Sequence, residues 1–217
     1  MAAVGGLVWL ALLVCVLLNN LPLSTFDLLF LLAPLVVVPL TLRLVPTVQD
    51  GPLFGISGRV IRYALLPGAM ATTASFLLPV GRVAGPLNCL WLIGGASLAL
   101  DGLIRLIRTR VQSLQEFCFA VGEGYSLIGA LWLLATRLGL KPLSFHEPIV
   151  LLTAIHFHYA GLMAAVLAGL AVSYMPTPLV LRIALSCGVL GPGLLGLAFL
   201  AGPKLKLAAV TVMVIGE

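Results

Sequence analysis

Residues 144–173 read SFHEPIVLLTAIHFHYAGLMAAVLAGLAVS, and they hold all three histidines of the chain, His146, His156 and His158. From Pro148 to the Tyr174-Met175-Pro176 break the run is apolar almost throughout. A helix needs about 20 such residues to cross the hydrocarbon core of a bilayer, and this run supplies them. Ionisable side chains at membrane depth are costly, so His156 and His158 mark a site that needs a reason.

The rest of the chain has the same character. Its 217 residues are 61% hydrophobic and only 9% charged, with a mean hydropathy of +1.20. A soluble domain is nearer half apolar and a quarter charged. The composition points to an all-α, multi-pass protein of the cell membrane, with residues 1–217 as a single transmembrane helical domain. The net charge of +5 sets orientation and meets anionic headgroups in such a protein. The expected partner is the lipid bilayer, not nucleic acid, with a homo-oligomer or a larger membrane complex as further settings. Cys15, Cys89, Cys118 and Cys187 are widely spaced, form no CxxC and sit in apolar runs, as small hydrophobes do. The start, MAAVGG, has no basic segment, so the first apolar run reads as a retained span.

Seven spans are expected: Val4–Leu18, Phe26–Val45, Val60–Val80, Val83–Ile107, Glu116–Leu138, the histidine helix from Pro148, and Pro178–Leu200. The second contains Pro34 and Pro39, which predict a bend. Pro46–Gly58 reads as the longest polar loop. The seventh is expected to break in the middle at Gly191-Pro192-Gly193, with a simple kink as the favoured reading and carbonyls left free at mid-depth, as in the interrupted helices of transporters, as the other. Lys204–Glu217 is apolar but too short to cross at about 1.5 Å per residue, and stands as the stub of an eighth span or a surface helix.

His156 and His158 are two residues apart, so on a helix they point about 200° from one another and serve different surroundings. His158 shares a stripe with Ala154, Gly161, Ala165 and Gly169, a small-xxx-small surface that lets another helix approach closely. It is expected to face the bundle interior. His156 shares its stripe with Thr153, Ala160 and Met163. The fifth span supplies Glu116 and Glu123, two turns apart on one face. Glu123 lies about 10 Å in from Glu116, and His156 about 12 Å in from Pro148. On consecutive antiparallel spans these depths add to about 22 Å of a core of about 30 Å, which puts Glu123 and the histidines within pairing range. Tyr125 extends that polar set. Asp101 and Arg105, four apart, read as a structural ion pair near one end of the fourth span. Both intramembrane histidines also have a plain reading as interhelical hydrogen-bonding residues that set packing.

The run Ile149–Gly161, IVLLTAIHFHYAG, resembles the YndJ-like family of bacterial integral membrane proteins, closely over Phe145–Gly161 and elsewhere only as a similar order of apolar segments. That resemblance implies a transporter-like membrane protein without an established substrate. His156-Phe157-His158-Tyr159 is also similar to the haem-ligating pair of haem–copper oxidase subunit I. That family needs further histidines, and here none lies outside residues 146–158.

The leading functional expectation is a transporter of a small molecule or ion, with His156, His158, Glu123, Tyr125 and Thr153 as the substrate or proton site. The alternatives are a redox or lipid-binding membrane protein holding haem, a quinone or an isoprenoid, and a structural subunit of a membrane complex. No catalytic residue, metal site or cofactor is expected. Walker A, GxSxG, HExxH and CxxC patterns are all missing, which disfavours nucleotide hydrolysis and zinc-protease chemistry.

Short-loop arginines and lysines set the orientation. Arg43, Arg59, Arg62, Arg105, Arg108 and Arg110 fall on one side, with Arg82, Arg137, Lys141, Lys204 and Lys206 opposite. This bias places the N-terminus in the cytoplasm. A membrane-impermeant maleimide should therefore leave Asp50→Cys unlabelled in intact cells and label Lys141→Cys. The reverse pattern would invert the topology.

Overall fold

The computed structural model describes residues 2–46, 52–110, 113–174, 178–201, 210–211 and 214, with side chains left undescribed at 52–62 and 199–201. Every regular element among them is helical. In chain order these are α1 (Ala2–Leu17), α2 (Thr25–Leu44), α3 (Pro52–Phe76), the short α4 (Ala84–Leu87), α5 (Cys89–Thr109), α6 (Leu114–Leu138), α7 (Ile149–Tyr174) and α8 (Leu179–Ala201). Five of them, α2, α5, α6, α7 and α8, are long and apolar enough to cross a membrane. The seven expected spans are thus matched by five on these criteria. α1 has only 16 residues, and α3 carries Arg59 and Arg62 within its length. The expected eighth span at Lys204–Glu217 falls almost wholly outside the described residues.

Three boundaries differ from the sequence reading, each for a local reason. α3 begins at Pro52, inside the stretch read as a loop, because proline suits the first helical turn. The fourth span is two helices, α4 and α5, divided at Asn88. The buried Asn88 side chain donates to the Ala84 carbonyl at 3.1 Å, competing with the main-chain ladder. α8 runs unbroken through Gly191-Pro192-Gly193, against the expected interruption.

α6 is the central helix. It packs against α5 along most of its length and against α7 on another side. Close approach depends on small residues at both contacts. At Gly102 of α5 a Cβ would meet the Ala120 carbonyl of α6 at 2.5 Å, well inside van der Waals contact. On α7 the small stripe of Ala154, Gly161, Ala165 and Gly169 is buried and faces α6, with Tyr125 across from Gly161.

Two helices widen locally into π turns. In α2 the wide segment is Ala33–Val37. Pro34 has no N–H for the Phe30 carbonyl, and the Ala33 N–H turns to that carbonyl instead. In α7 it is Phe157–Met163. His158 Nδ1 lies 2.7 Å from the Ala154 carbonyl, the group that accepts His158's own main-chain N–H in an α-helix. A side chain that takes a ladder acceptor is a sufficient cause for the widening that begins there.

Gly161→Leu should be strongly destabilising, because its side chain would enter the Tyr125 ring. Overpacking of this kind costs about 1–3 kcal/mol. Ala160→Leu, at a half-buried position, should be milder. Melting of both variants in detergent checks this, and equal melting temperatures would mean that α7 does not seat against α6 through this stripe.

Candidate functional site

His158 is 1% exposed and both of its ring nitrogens are used. Trp91 Nε1 donates to His158 Nε2 at 3.2 Å. An indole N–H only donates, so Nε2 is the unprotonated nitrogen and Nδ1 carries the hydrogen that goes to the Ala154 carbonyl. Phe30 meets the imidazole edge-on and Trp91 stacks on it, with centroids 5.5 and 5.9 Å away. This histidine joins α2, α5 and α7 as a neutral, fully satisfied group.

Glu123 is placed elsewhere. Its partner is Arg105, whose Nε lies 3.4 Å from Glu123 Oε2. Arg105 Nη1 reaches Glu116 Oε2 at 2.5 Å, and Nη2 donates to the Pro46 carbonyl at 2.9 Å. One guanidinium therefore ties the end of α2 to α5 and α6, and Phe119 lies beneath it at 5.6 Å. Asp101 is buried one turn earlier on the same helix. The arrangement corrects the expected grouping of Glu123 with the histidines: the acid takes an arginine from the neighbouring helix, and His158 has no nitrogen left to share a proton. A guanidinium reaches two carboxylates and a carbonyl with separate N–H groups, which an imidazole cannot do.

At the opposite end Arg137 plays a similar part. It was counted from the sequence as a loop residue, yet it is buried. Its Nη2 donates to the Ser75 and Leu78 carbonyls at 2.6 and 2.7 Å, closing the C-terminus of α3, and its guanidinium lies 4.6 Å above the Phe76 ring. The sequence signal was slight: an arginine in the last turn of a helix, two residues before the αL glycine Gly139.

His156 has a different environment. It lines a cavity of about 580 Å³ between α6, α7 and α8, and its Nε2 is buried with no hydrogen-bond partner. Trp132, Phe145, Phe157, Gly193 and Gly196 form the apolar walls. Thr153 also lines it, but its hydroxyl donates to the Ile149 carbonyl at 2.8 Å. The rim residues Ile149, Leu152 and Leu197 are 49%, 37% and 57% exposed, so the cavity is open at this rim. Of the expected site residues, His156 and Thr153 share this cavity, His158 lies in the interior, and Glu123 sits in the arginine cluster. His146 is an exposed loop residue.

Tyr125 completes the cavity wall indirectly. Its hydroxyl accepts from the Gly193 N–H at 3.0 Å and donates to the Val189 carbonyl at 2.9 Å. In a regular α-helix that amide and that carbonyl bond each other directly. The hydroxyl is spliced into the ladder of α8 beside Pro192, and it fastens α8 to α6. Among the described residues no three His, Cys, Asp or Glu side chains converge as a metal-binding group.

These features define an all-helical membrane protein with a largely apolar cavity between three of its helices. The chain belongs to the YndJ family: residues 28–216 match the family described as YndJ-like protein. It is also 30% identical over 86 residues to the uncharacterized membrane protein YndJ of Bacillus subtilis (strain 168), a match that covers 40% of this chain and 16% of that relative. No solved structure matches the chain.

Removing the Tyr125 hydroxyl should loosen α8. Tyr125→Phe leaves the Gly193 N–H without its acceptor, which costs about 1–3 kcal/mol for a buried group. The expected result is a lower melting temperature in detergent and faster amide hydrogen exchange confined to peptides around Gly193. Unchanged exchange there would show that α8 does not depend on the hydroxyl.

Proposed function

We propose that this chain holds a small, largely apolar molecule inside the bilayer, in the cavity between α6, α7 and α8. The observation that supports this is a space of about 580 Å³ whose described lining is apolar except for His156 and Thr153. Ligand sites are concave, mostly apolar, about 300–1,000 Å³ in size, and carry a few placed polar groups. Transport, which the family resemblance implies, would use the same cavity, reached from the lipid through the rim at Ile149, Leu152 and Leu197.

On this reading the chain is a single helical domain with seven crossings, the five long apolar helices together with α1 and α3, and its N-terminus is in the cytoplasm. The Arg105–Glu116–Glu123 cluster serves as a structural tie at the cytoplasmic end. A haem is disfavoured as the occupant, since the described residues of the lining include no lysine or arginine for its propionates.

The test is to compare what co-purifies. Protein extracted in a mild detergent would be analysed by mass spectrometry of its organic extract, beside Gly196→Phe, which places a ring in the cavity. An apolar species enriched on the parent and depleted on the variant is expected. Identical profiles from two equally folded proteins would end this reading.

A further inference from the structure

Resting on the cavity reading, we infer that the cavity is a slot for an acyl tail of a membrane amphiphile, whose polar head stays outside it at the membrane surface, beside the loop between α6 and α7. A free fatty acid and a phospholipid share this tail chemistry.

Three observations carry it. First, the cavity has a closed end and an open end. Phe157 and Pro192 are buried, and an added Cβ at Gly196 would lie 3.6 Å from the Phe157 ring, so α7 and α8 meet there. Leu143, Ile149 and Leu152 are exposed, and they belong to the loop and to the first turn of α7. α7 has 26 residues, about 39 Å at 1.5 Å per residue. A hydrocarbon core is about 30 Å thick, and about 40–45 Å with its headgroups. The first turn of α7 therefore stands at headgroup level, and the open end of the cavity with it. Phe157 is eight residues further on, about 12 Å down the axis. The closed end thus falls within a single leaflet, about 15 Å deep as half of the core.

Second, the cavity is also open along one side. Leu197 of its rim is in line with Leu190 and Ile183, spaced by sevens and all exposed. Seven residues are close to two turns, so the three form one stripe along α8. Only 17% of this helix's apolar window is buried. An exposed apolar stripe on a spanning helix is the surface that lipid tails cover, and the cavity opens from its edge. A tail enters sideways here while its head remains among the headgroups, which avoids taking a polar group out of water.

Third, the walls suit a chain that brings no polar atom. Gly193 and Gly196 keep α8 free of side chains where it borders the cavity, and Trp132, Phe145 and Phe157 supply rings from α6, the loop and α7. The Thr153 hydroxyl already donates to the Ile149 carbonyl. Between membrane helices and lipid the gain comes from close packing rather than from release of water. Methylenes laid against three rings and a bare helix backbone make such contacts along their length.

Photolabelling of the full chain in dioleoylphosphatidylcholine nanodiscs tests this. The probes are palmitic acid with a diazirine at the tail end, and a phosphatidylcholine esterified with that acid. Labelled peptides are identified by mass spectrometry. Label at Phe157 or residues 192–196 is expected from at least one probe, lost on addition of excess unlabelled palmitate or unlabelled dipalmitoyl phosphatidylcholine respectively. Label from the acid alone, from the phospholipid alone or from both supports the tail assignment and separates the two sources. Palmitic acid with its diazirine beside the carboxyl should label residues 143–152 instead. Gly196→Phe should lose the label at Phe157 and 192–196, as should Leu152→Trp, a change at the exposed rim that leaves the packed interior alone. Label at Phe157 or 192–196 from the carboxyl-side probe means that the head goes in first, which overturns this inference with the cavity reading intact. So does the absence of label there from both tail-end probes while Gly196→Phe still depletes a co-purifying apolar species. Equal label in the parent and both variants means that the tail lies outside the cavity, and then the cavity reading fails as well.

Discussion

In the interior of a bilayer no water is at hand for a backbone group that loses its partner, so the protein must supply one. This constraint shapes the bundle more than any single apolar contact. Pro34, Pro39, Pro67 and Pro192 each remove a donor from a helix, and each helix end leaves carbonyls open. The structure answers with groups brought from other helices. The Tyr125 hydroxyl bridges the ladder of α8 at Gly193 and Val189. Arg137 takes the Ser75 and Leu78 carbonyls at the end of α3. Arg105 takes the Pro46 carbonyl beyond α2. Gly5 of α1 lies directly against the Leu35 carbonyl, which Pro39 leaves without an α-helical donor.

These contacts also divide labour among the polar residues. The two buried arginines stand at opposite ends, each holding helix-end or loop carbonyls, and one holds a pair of acids as well. His158 is enclosed by Trp91, Phe30 and a carbonyl of its own helix, which makes it a joint between three helices. His156 is left facing the cavity. The result is a pair of polar ends around an interior in which His156 Nε2, like Asn88 Oδ1 and the Thr72, Ser126 and Thr136 hydroxyls, is buried without a partner.

α8 differs from the other long helices. Only 17% of its apolar window is buried, compared with 56% for α6 and α7. Its hold on the bundle depends heavily on the Tyr125 splice and on glycines that admit Phe157 and the Tyr125 hydroxyl at close range.

The sequence alone determined the class of protein, the approximate positions of the long helices and the small stripe on α7. It also showed that His156 and His158 face different surroundings. These follow from composition and from 3.6-residue periodicity, because a membrane helix satisfies its own backbone and its hydropathy is a local property. The partner of Glu123 was not legible. Depth along the membrane normal could be estimated from helical rise, but the rotation and neighbours of α5 decide that Arg105, on a long flexible stem, reaches the acid. Nor did the sequence show α8 as unbroken, since a tyrosine 68 residues from Gly193 repairs its ladder. That His158 is saturated while a His156 nitrogen goes unpartnered beside a cavity was decided by tertiary structure alone: hydrogen-bond satisfaction depends on which helices meet, and the indole that saturates His158 comes from α5, 67 residues away.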